Sequence, residues 1–434
     1  MGRFIGGIFG NTVPIAPGAE APSAVYSIHD QYYSRQEGGW TNPSGISATG
    51  GVVSDFQVGS DVYRAHVFEN SGTFEVTALA AGISNNLEYL VVGGGGGGGG
   101  ESAQSGGGGA GGFRTNLVGH SLRAADLAAE VAVYTVTVGA GGNGGVGPAP
   151  SGGKVGQAGG NSEFFKTGTS YPDVKRVRAV GGGGGMGYSS SPVPTMNGGS
   201  GGGAVCSPTP YSGGTGNTAD PNHPQVQGYN GGNGTPAYGG PYAGGGGGGA
   251  GRAGAPDDPS TPLTRSTGGY GQQCLIAHNP ANPESPIGAP GPDSNNGYFA
   301  GGGGGGSYNS SGAAGGYGGG ATGGGTNIPS KNGDHGTYAT GGGGGGSGHV
   351  SGYGRGGNGG SGIVVVRYKI LELAGTAKAT GGAVSFAGGK TIHTFTTSGD
   401  FNNTSGDAIA NVDYLVVAGG GGGAACNASA DGAA

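Results

Sequence analysis

The chain has 434 residues, of which 118 are Gly and 24 are Pro, together about a third and above the roughly 25–30% typical of unpatterned, disordered sequence. Charged residues make up only 10% and the net charge is −6, which excludes both the self-repulsion of a charged disordered segment and the basic surface that nucleic acid requires. No apolar run approaches a membrane span, and MGRFIGGIFGNTVPIAPGAE has too short an apolar stretch for a secretory signal, so cytoplasmic assembly without membrane insertion is expected.

Residues 24–40, AVYSIHDQYYSRQEGGW, carry Tyr32, Tyr33 and the single tryptophan, Trp40, whose simplest role is a local packing anchor. Strand-like borders follow. His66, Phe68, Phe74 and Val76 share one parity, and EYLVV at 88–92 is β-branched and aromatic. VAVYTVTVGAGG at 131–142 sets Val131, Val133, Thr135 and Thr137 against Tyr134, Val136 and Val138, and GIVVVRYKI at 362–370 closes the series. All of these are predicted strands, and two of them run directly into glycine.

Glycine runs lie at about 93–100, 106–112, 139–145, 181–185, 198–203, 244–254, 301–306, 315–325, 341–346 and 354–362. Collagen would need Gly at every third position with Pro between, and a flexible linker would not recur ten times between strands. The remaining form is the extended threefold helix of the polyproline II type. It has no internal hydrogen bonds, so its backbone groups must find neighbours. Without Cβ atoms such helices can pack hexagonally through N–H···O=C and Cα–H···O contacts. The expected fold class is therefore mostly irregular and β, a polyglycine II helix sandwich framed by short β-strands, with little or no α-helix.

The chain also repeats. ATGGVVSDF at 48–56 returns as ATGGAVSF at 379–386, HVFENSGTF at 66–74 as HTFTTSGDF at 393–401, and EYLVVGGGGG at 88–97 as DYLVVAGGGGG at 413–423. The order is kept, which marks a module that begins again near Ala379. The organisation expected is an N-terminal segment 1–47, a β lead-in 48–92, a polyglycine module 93–373 with variable loops and a closing strand, and the start of a second copy at 374–434.

A scaffold without side chains recognises nothing, so function is expected in the connectors. The longest are 204–243 and 255–300, and shorter tips lie at 186–197, 307–314 and 326–340. They are rich in Tyr, Ser, Asn and Gly, the residues of adaptable binding loops. Tyr211, Tyr229, Tyr238, Tyr242, Tyr270, Tyr298, Tyr308 and Tyr338 are the candidate contacts to a glycan or a protein loop. Packing over bare glycine backbone is the competing role for each.

No catalytic constellation, cofactor motif or metal site is expected. His223, His278, His335 and His349 fall on different connectors without metal-ligand spacing, and Asp257 and Asp258 lack a calcium loop. Many G-x-G-x-x-G strings are chance products of the composition. Cys206, Cys274 and Cys426 are expected as free thiols, with a Cys206–Cys274 disulfide the alternative. VKRVR at 174–178 reads as a strand edge guarded by charge, an anionic glycan site being the other option.

The ordered series HVFENSGTF, LEYLVVGGGGGGGG, YTVTVGAGGNGG, TGGGGGGSG and GGSGIVVVRY resembles the glycine-rich domain of bacteriophage tail-fibre and other virion proteins, the marine and cyanobacterial phages especially. The polyglycine plan is also similar to that of T-even-like long tail fibre adhesins, in which loops on a glycine-helix sandwich touch the host receptor. The resemblance implies a virion location, a host-surface receptor, other virion proteins as partners and a homo-oligomer, with a trimer among the options. It also implies that Tyr32, Tyr33 and Trp40 belong to a virion-attachment segment. A passive decoration fibre without a receptor is the alternative, and an antifreeze-like glycine-helix protein is a third reading, disfavoured by the irregular Pro-rich loops.

Overall fold

The computed structural model describes residues 45–418 except 82, 102–103, 148–153, 188–192, 218–222, 235–241, 257–264, 278–286, 293–295, 309–310, 327–330, 350–353, 373–378, 388–389, 396 and 405–411. In chain order the strands are β1 (Ser47–Thr49), β2 (Val52–Val58), β3 (Asp61–Phe68), β4 (Gly72–Ala78), β5 (Asn86–Val92), β6 (Phe113–Thr115), β7 (Leu127–Ala128), β8 (Ala132–Thr137), β9 (Ser162–Lys166), β10 (Arg176–Ala179), β11 (Gln272–Gln273), β12 (Tyr298–Phe299) and β13 (Ile363–Glu372). A second set follows: β14 (Ala379–Thr380), β15 (Ala383–Ala387), β16 (Lys390–Thr394) and β17 (Asn402–Asn403).

Two antiparallel sheets form a sandwich, one ordered β1-β4-β8-β9-β10 and the other β2-β3-β13-β5-β6, with β7 added to β5. The parity of the sequence decides what lies between them. Phe68, Phe74, Val76, Tyr134 and Val136 are buried in the intersheet core, and Val131 and Val133 on the opposite face are exposed. The uninterrupted apolar run of β13 has a separate cause, because its sheet is covered on both sides. Val364, Val366 and Tyr368 face the first sheet, whereas Ile363 and Val365 pack with Cys274, Ile276 and Phe299.

His66 sits in this core with Phe74 edge-on at 5.0 Å, its Nδ1 donating to the Gly50 carbonyl at 2.6 Å and its Nε2 accepting from the Tyr368 hydroxyl at 3.0 Å. Burial pushes its pKa below the ordinary 6.5, against the opposing pull of the Gly50 bond. The unfolded chain protonates this ring near pH 6.5 and the folded sandwich does not, so the stability is complete above that pH and is lost as pH falls beneath it. Urea melts should show a decline of at most about 1.4 kcal/mol per pH unit for this one proton, and His66→Asn should remove that part of the slope.

Glycine segments extend from the strand ends, and their hydrogen bonds have a period of three. In the 93–101 segment Gly94, Gly97 and Gly100 donate to Gly160, Gln157 and Lys154, while Gly95, Gly98 and Glu101 donate to Gly360, Gly357 and Gly354. Gly93, Gly96 and Gly99 donate to Gly112, Gly109 and Gly106. Three antiparallel neighbours thus accept. Three parallel neighbours donate back, through Gly142 and Gly145, Gly182 and Gly185, and Gly344 and Ser347. A threefold helix with six backbone neighbours is a polyglycine II helix in a hexagonal lattice, the architecture expected from the sequence.

The sandwich sets the order of this lattice. The neighbours β13-β5-β6 continue as the neighbours 354–362, 93–101 and 106–112, and β8-β9-β10 continue as 139–145, 154–160 and 181–187. Packed sheets stand about 10 Å apart to hold side chains. Glycine backbones need no such gap, and 93–101 bonds directly to 154–160 from the opposite sheet.

Several segments differ from the sequence expectation. Residues 244–254 and 315–325 are each two helices, folded back at 250–252 and 317–319, with Gly249 donating to Arg252 and Gly323 to Ala313. Residues 154–160, 213–217, 228–234, 266–271 and 331–337 also belong to the lattice, so the connectors 204–243 and 255–300 and the tip 326–340 are not loops throughout. The outer helices end the lattice with side chains. Asn161, Asn230, Asn233, Asn332 and Asn358 accept backbone N–H groups of adjacent segments through Oδ1, standing where another backbone carbonyl would be.

Residues 379–403 reproduce the opening of the module. Gly381 and Gly382 have φ of 113° and 64°, against 112° and 61° at Gly50 and Gly51. His393 Nδ1 bonds the Gly381 carbonyl at 2.7 Å, and its ring meets Phe401 edge-on at 5.0 Å, as His66 meets Phe74.

Candidate binding surface

Because the glycine helices alternate in direction, connectors collect at two ends. One end abuts the sandwich. The other, reached at Gly100, Gly106, Gly145, Lys154, Gly244, Gly306 and Ser347, is the far end. The candidate tyrosines divide between them rather than forming one patch. Tyr211, Tyr242 and Tyr308 are at the far end, whereas Tyr229, Tyr270, Tyr298 and Tyr338 are at the sandwich end. Tyr238, Tyr32, Tyr33 and Trp40 lie outside the described residues, as do Asp257, Asp258, His278 and Cys426.

At the far end the Tyr242 and Tyr308 rings are 6.1 Å apart, and His349 meets Tyr308 edge-on at 4.6 Å. The backbone fixes this group: Tyr308 N–H donates to Tyr242 O at 2.7 Å and His349 N–H to Ser307 O at 3.2 Å. Behind it Glu101 pairs with Lys154 at 2.7 Å, and Ser347 Oγ donates to the Glu101 carbonyl at 2.9 Å. All three residues are half-buried. Such a surface suits stacking on a sugar ring or an exposed apolar loop.

At the sandwich end Tyr229, Tyr270, Tyr317 and Tyr338 are exposed, and several of them are tied to neighbours. Tyr270 meets Tyr317 in a tilted pair at 5.1 Å and lies under the Arg252 guanidinium at 4.1 Å, and the Tyr338 hydroxyl donates to Glu69 O at 3.2 Å. Tyr298 lies directly over Gly291, the packing role weighed against binding. On the lattice flank, Arg355, His335, Asn332 and Asn358 line a shallow groove of ≈ 260 Å³. Its two asparagines and His335 are committed to edge bonds.

The basic cluster is largely neutralised. On β10, the last strand of its sheet, Arg176 pairs with Glu163 at 2.6 Å and stacks over Phe165 at 4.0 Å, and Lys175 just before the strand pairs with Glu130 at 2.8 Å. Cys206 and Cys274 are buried free thiols, and burial pushes Cys274 up to about 12, far from a reactive thiolate. Among the described residues no three His, Cys, Asp or Glu side chains gather to hold a metal.

A family described as the glycine-rich domain matches residues 69–369, from the turn before β4 to Lys369 in β13. The chain belongs to that family. The matched span covers most of the sandwich and the whole lattice of the glycine-rich domain. No curated protein matches the chain.

Sequence reasoning missed Arg252, Tyr317 and the place of His349. Counting helix reversals along the chain would have assigned each connector to an end, but five of the helices do not read as glycine runs. They need glycine only on the face turned inward, as at Gly156 and Gly159 or Gly333 and Gly336.

Proposed function

We propose that this glycine-rich domain is a fibre component of a bacteriophage particle, an adhesin whose far-end connectors bind a glycan or protein loop on the host surface. The observation that carries the reading is the Tyr242–Tyr308–His349 group, held half-buried at the end of the lattice opposite the sandwich. The phage context rests on the resemblance of the ordered border motifs, and so do the virion location and the homo-oligomeric state. In this reading Tyr32, Tyr33 and Trp40 join the chain to other virion proteins, and the domain binds without catalysing a reaction.

The test is binding of the purified chain to bacterial envelope fractions, with Tyr308→Ala and His349→Ala as variants. Each should weaken binding by about two- to tenfold, by loss of stacking contacts worth roughly 0.5–1.5 kcal/mol, while melting stays unchanged. Replacing 255–300 wholesale is unsuitable, since 266–271 and the β11–β12 pair are structural. Unchanged binding by both variants would move the site from the far end. Absence of binding to any envelope fraction would support a passive decoration fibre.

A further inference from the structure

Asparagine is followed by glycine at seven places in the chain. Five of these pairs share one arrangement at the rim of the lattice, with an exposed asparagine whose two reactive neighbours are both tied down. Asn332 Oδ1 accepts the Arg355 N–H at 2.9 Å, and Gly333 N–H donates to the Arg355 carbonyl at 2.9 Å. Asn358 Oδ1 accepts the Gly144 N–H, and Gly359 N–H donates to the Gly142 carbonyl of the same helix. Asn197, Asn230 and Asn233 repeat this two-point latch against residues 211–216.

The latch engages the two groups that could otherwise react with each other. In an Asn–Gly pair the glycine nitrogen attacks the asparagine Cγ. A bond forms between them, the Cγ–Nδ2 bond breaks, and ammonia leaves with the amide proton. Water then opens the resulting succinimide at either carbonyl, giving aspartate or, with the backbone rerouted through the side chain, isoaspartate. Glycine favours ring closure because it has no Cβ to hinder the turn. In the lattice the attacking nitrogen is held on a carbonyl and the asparagine side chain is held on an N–H, so the ring cannot close until the helix detaches.

The remaining two pairs grade the effect. Asn143 has only the glycine half, since Gly144 N–H donates to Asn358 Oδ1. At Asn296–Gly297, between β11 and β12, neither reacting group has a hydrogen-bond partner among the described residues.

We propose that the five latched pairs are latent deamidation sites, held unreactive by the lattice, whose conversion makes the detachment of an outer helix irreversible. Isoaspartate adds a backbone atom and breaks the threefold register, and both products place a negative charge at the lattice rim. The inference is independent of the phage reading, because it rests on hydrogen bonds within the lattice.

The test incubates the full chain in mildly alkaline buffer and follows each pair by peptide mass spectrometry. In the folded chain Asn296 should convert first, and the five latched asparagines at least about a hundredfold more slowly, at the rate set by opening of the lattice. In urea all six should convert at similar rates. Arg355→Pro removes the N–H that Asn332 accepts, keeps the carbonyl that Gly333 meets and suits an extended helix. It should speed conversion of Asn332 by about two- to tenfold, the worth of one hydrogen bond, and leave the other four latched pairs unchanged. A chain returned from urea before conversion should regain protease resistance, and one returned after conversion should not. Equal rates at Asn296 and the latched pairs in the folded chain overturn the proposal, as does an unchanged Asn332 in Arg355→Pro. Full recovery of resistance by the converted chain overturns the irreversibility.

Discussion

Replacing Gly247 with valine is expected to unfold the glycine lattice. Gly247 donates to Gly303 at 2.8 Å and accepts from Gly269 at 2.8 Å, and a Cβ placed on it would overlap the Gly108 carbonyl. Overpacking an ordinary core costs about 1–3 kcal/mol because side chains can turn aside. Here the neighbours are backbones, each fixed by its own hydrogen bonds, so a loss of at least about 3 kcal/mol is expected, with rapid proteolysis between β6 and β13. Ala158→Val is the control: Ala158 is exposed on an outer helix, and its substitution should stay within about 0.5 kcal/mol of the parent. Equal melting of the two variants would mean that the helices do not pack as described.

Phe74→Ala should be the most damaging substitution in the sandwich. Phe74 is fully buried and meets His66, Tyr134, Phe164 and Tyr368 at ring separations of 5.0, 5.9, 6.0 and 6.3 Å. Truncation leaves a cavity between the sheets and should cost about 3–5 kcal/mol. Since the sandwich sets the neighbour order of the helices, the lattice should lose protease resistance in the same transition. A variant with a molten sandwich and a resistant lattice would show that the glycine helices order themselves.

The strands of the first sheet were legible because they turn one parity to the core, Phe74 and Val76 inward and Val133 outward, and β5 and β13 because they are short apolar runs buried on both faces. The pure glycine runs were legible as helices because nothing else gives such runs a packed form. The outer helices were hidden by their own side chains. In 154–160 only the inward positions must be glycine, so KVGQAGG reads as a loop although Gly156 and Gly159 touch the backbones of 97 and 94. The folds at 250–252 and 317–319 were hidden because Ala250, Arg252 and Tyr317, which stand at the turns, interrupt the glycine for only one or two residues at a time. This is also why the tyrosines could not be assigned to an end. Tyr242 and Tyr308 are 66 positions apart in the chain and meet only because the helices between them reverse.

The central claim is that glycine runs form a rigid lattice rather than a tether, and amide hydrogen exchange of the parent chain tests it most directly. Gly94 to Gly99 belong to no strand, yet each amide is bonded to another segment at 2.8–2.9 Å. The structure predicts that these amides exchange together, through the same global opening as Val91 and Val365 in the sandwich core. Exchange within about tenfold of the rate of an unstructured chain, while the sandwich amides stay protected, would contradict it.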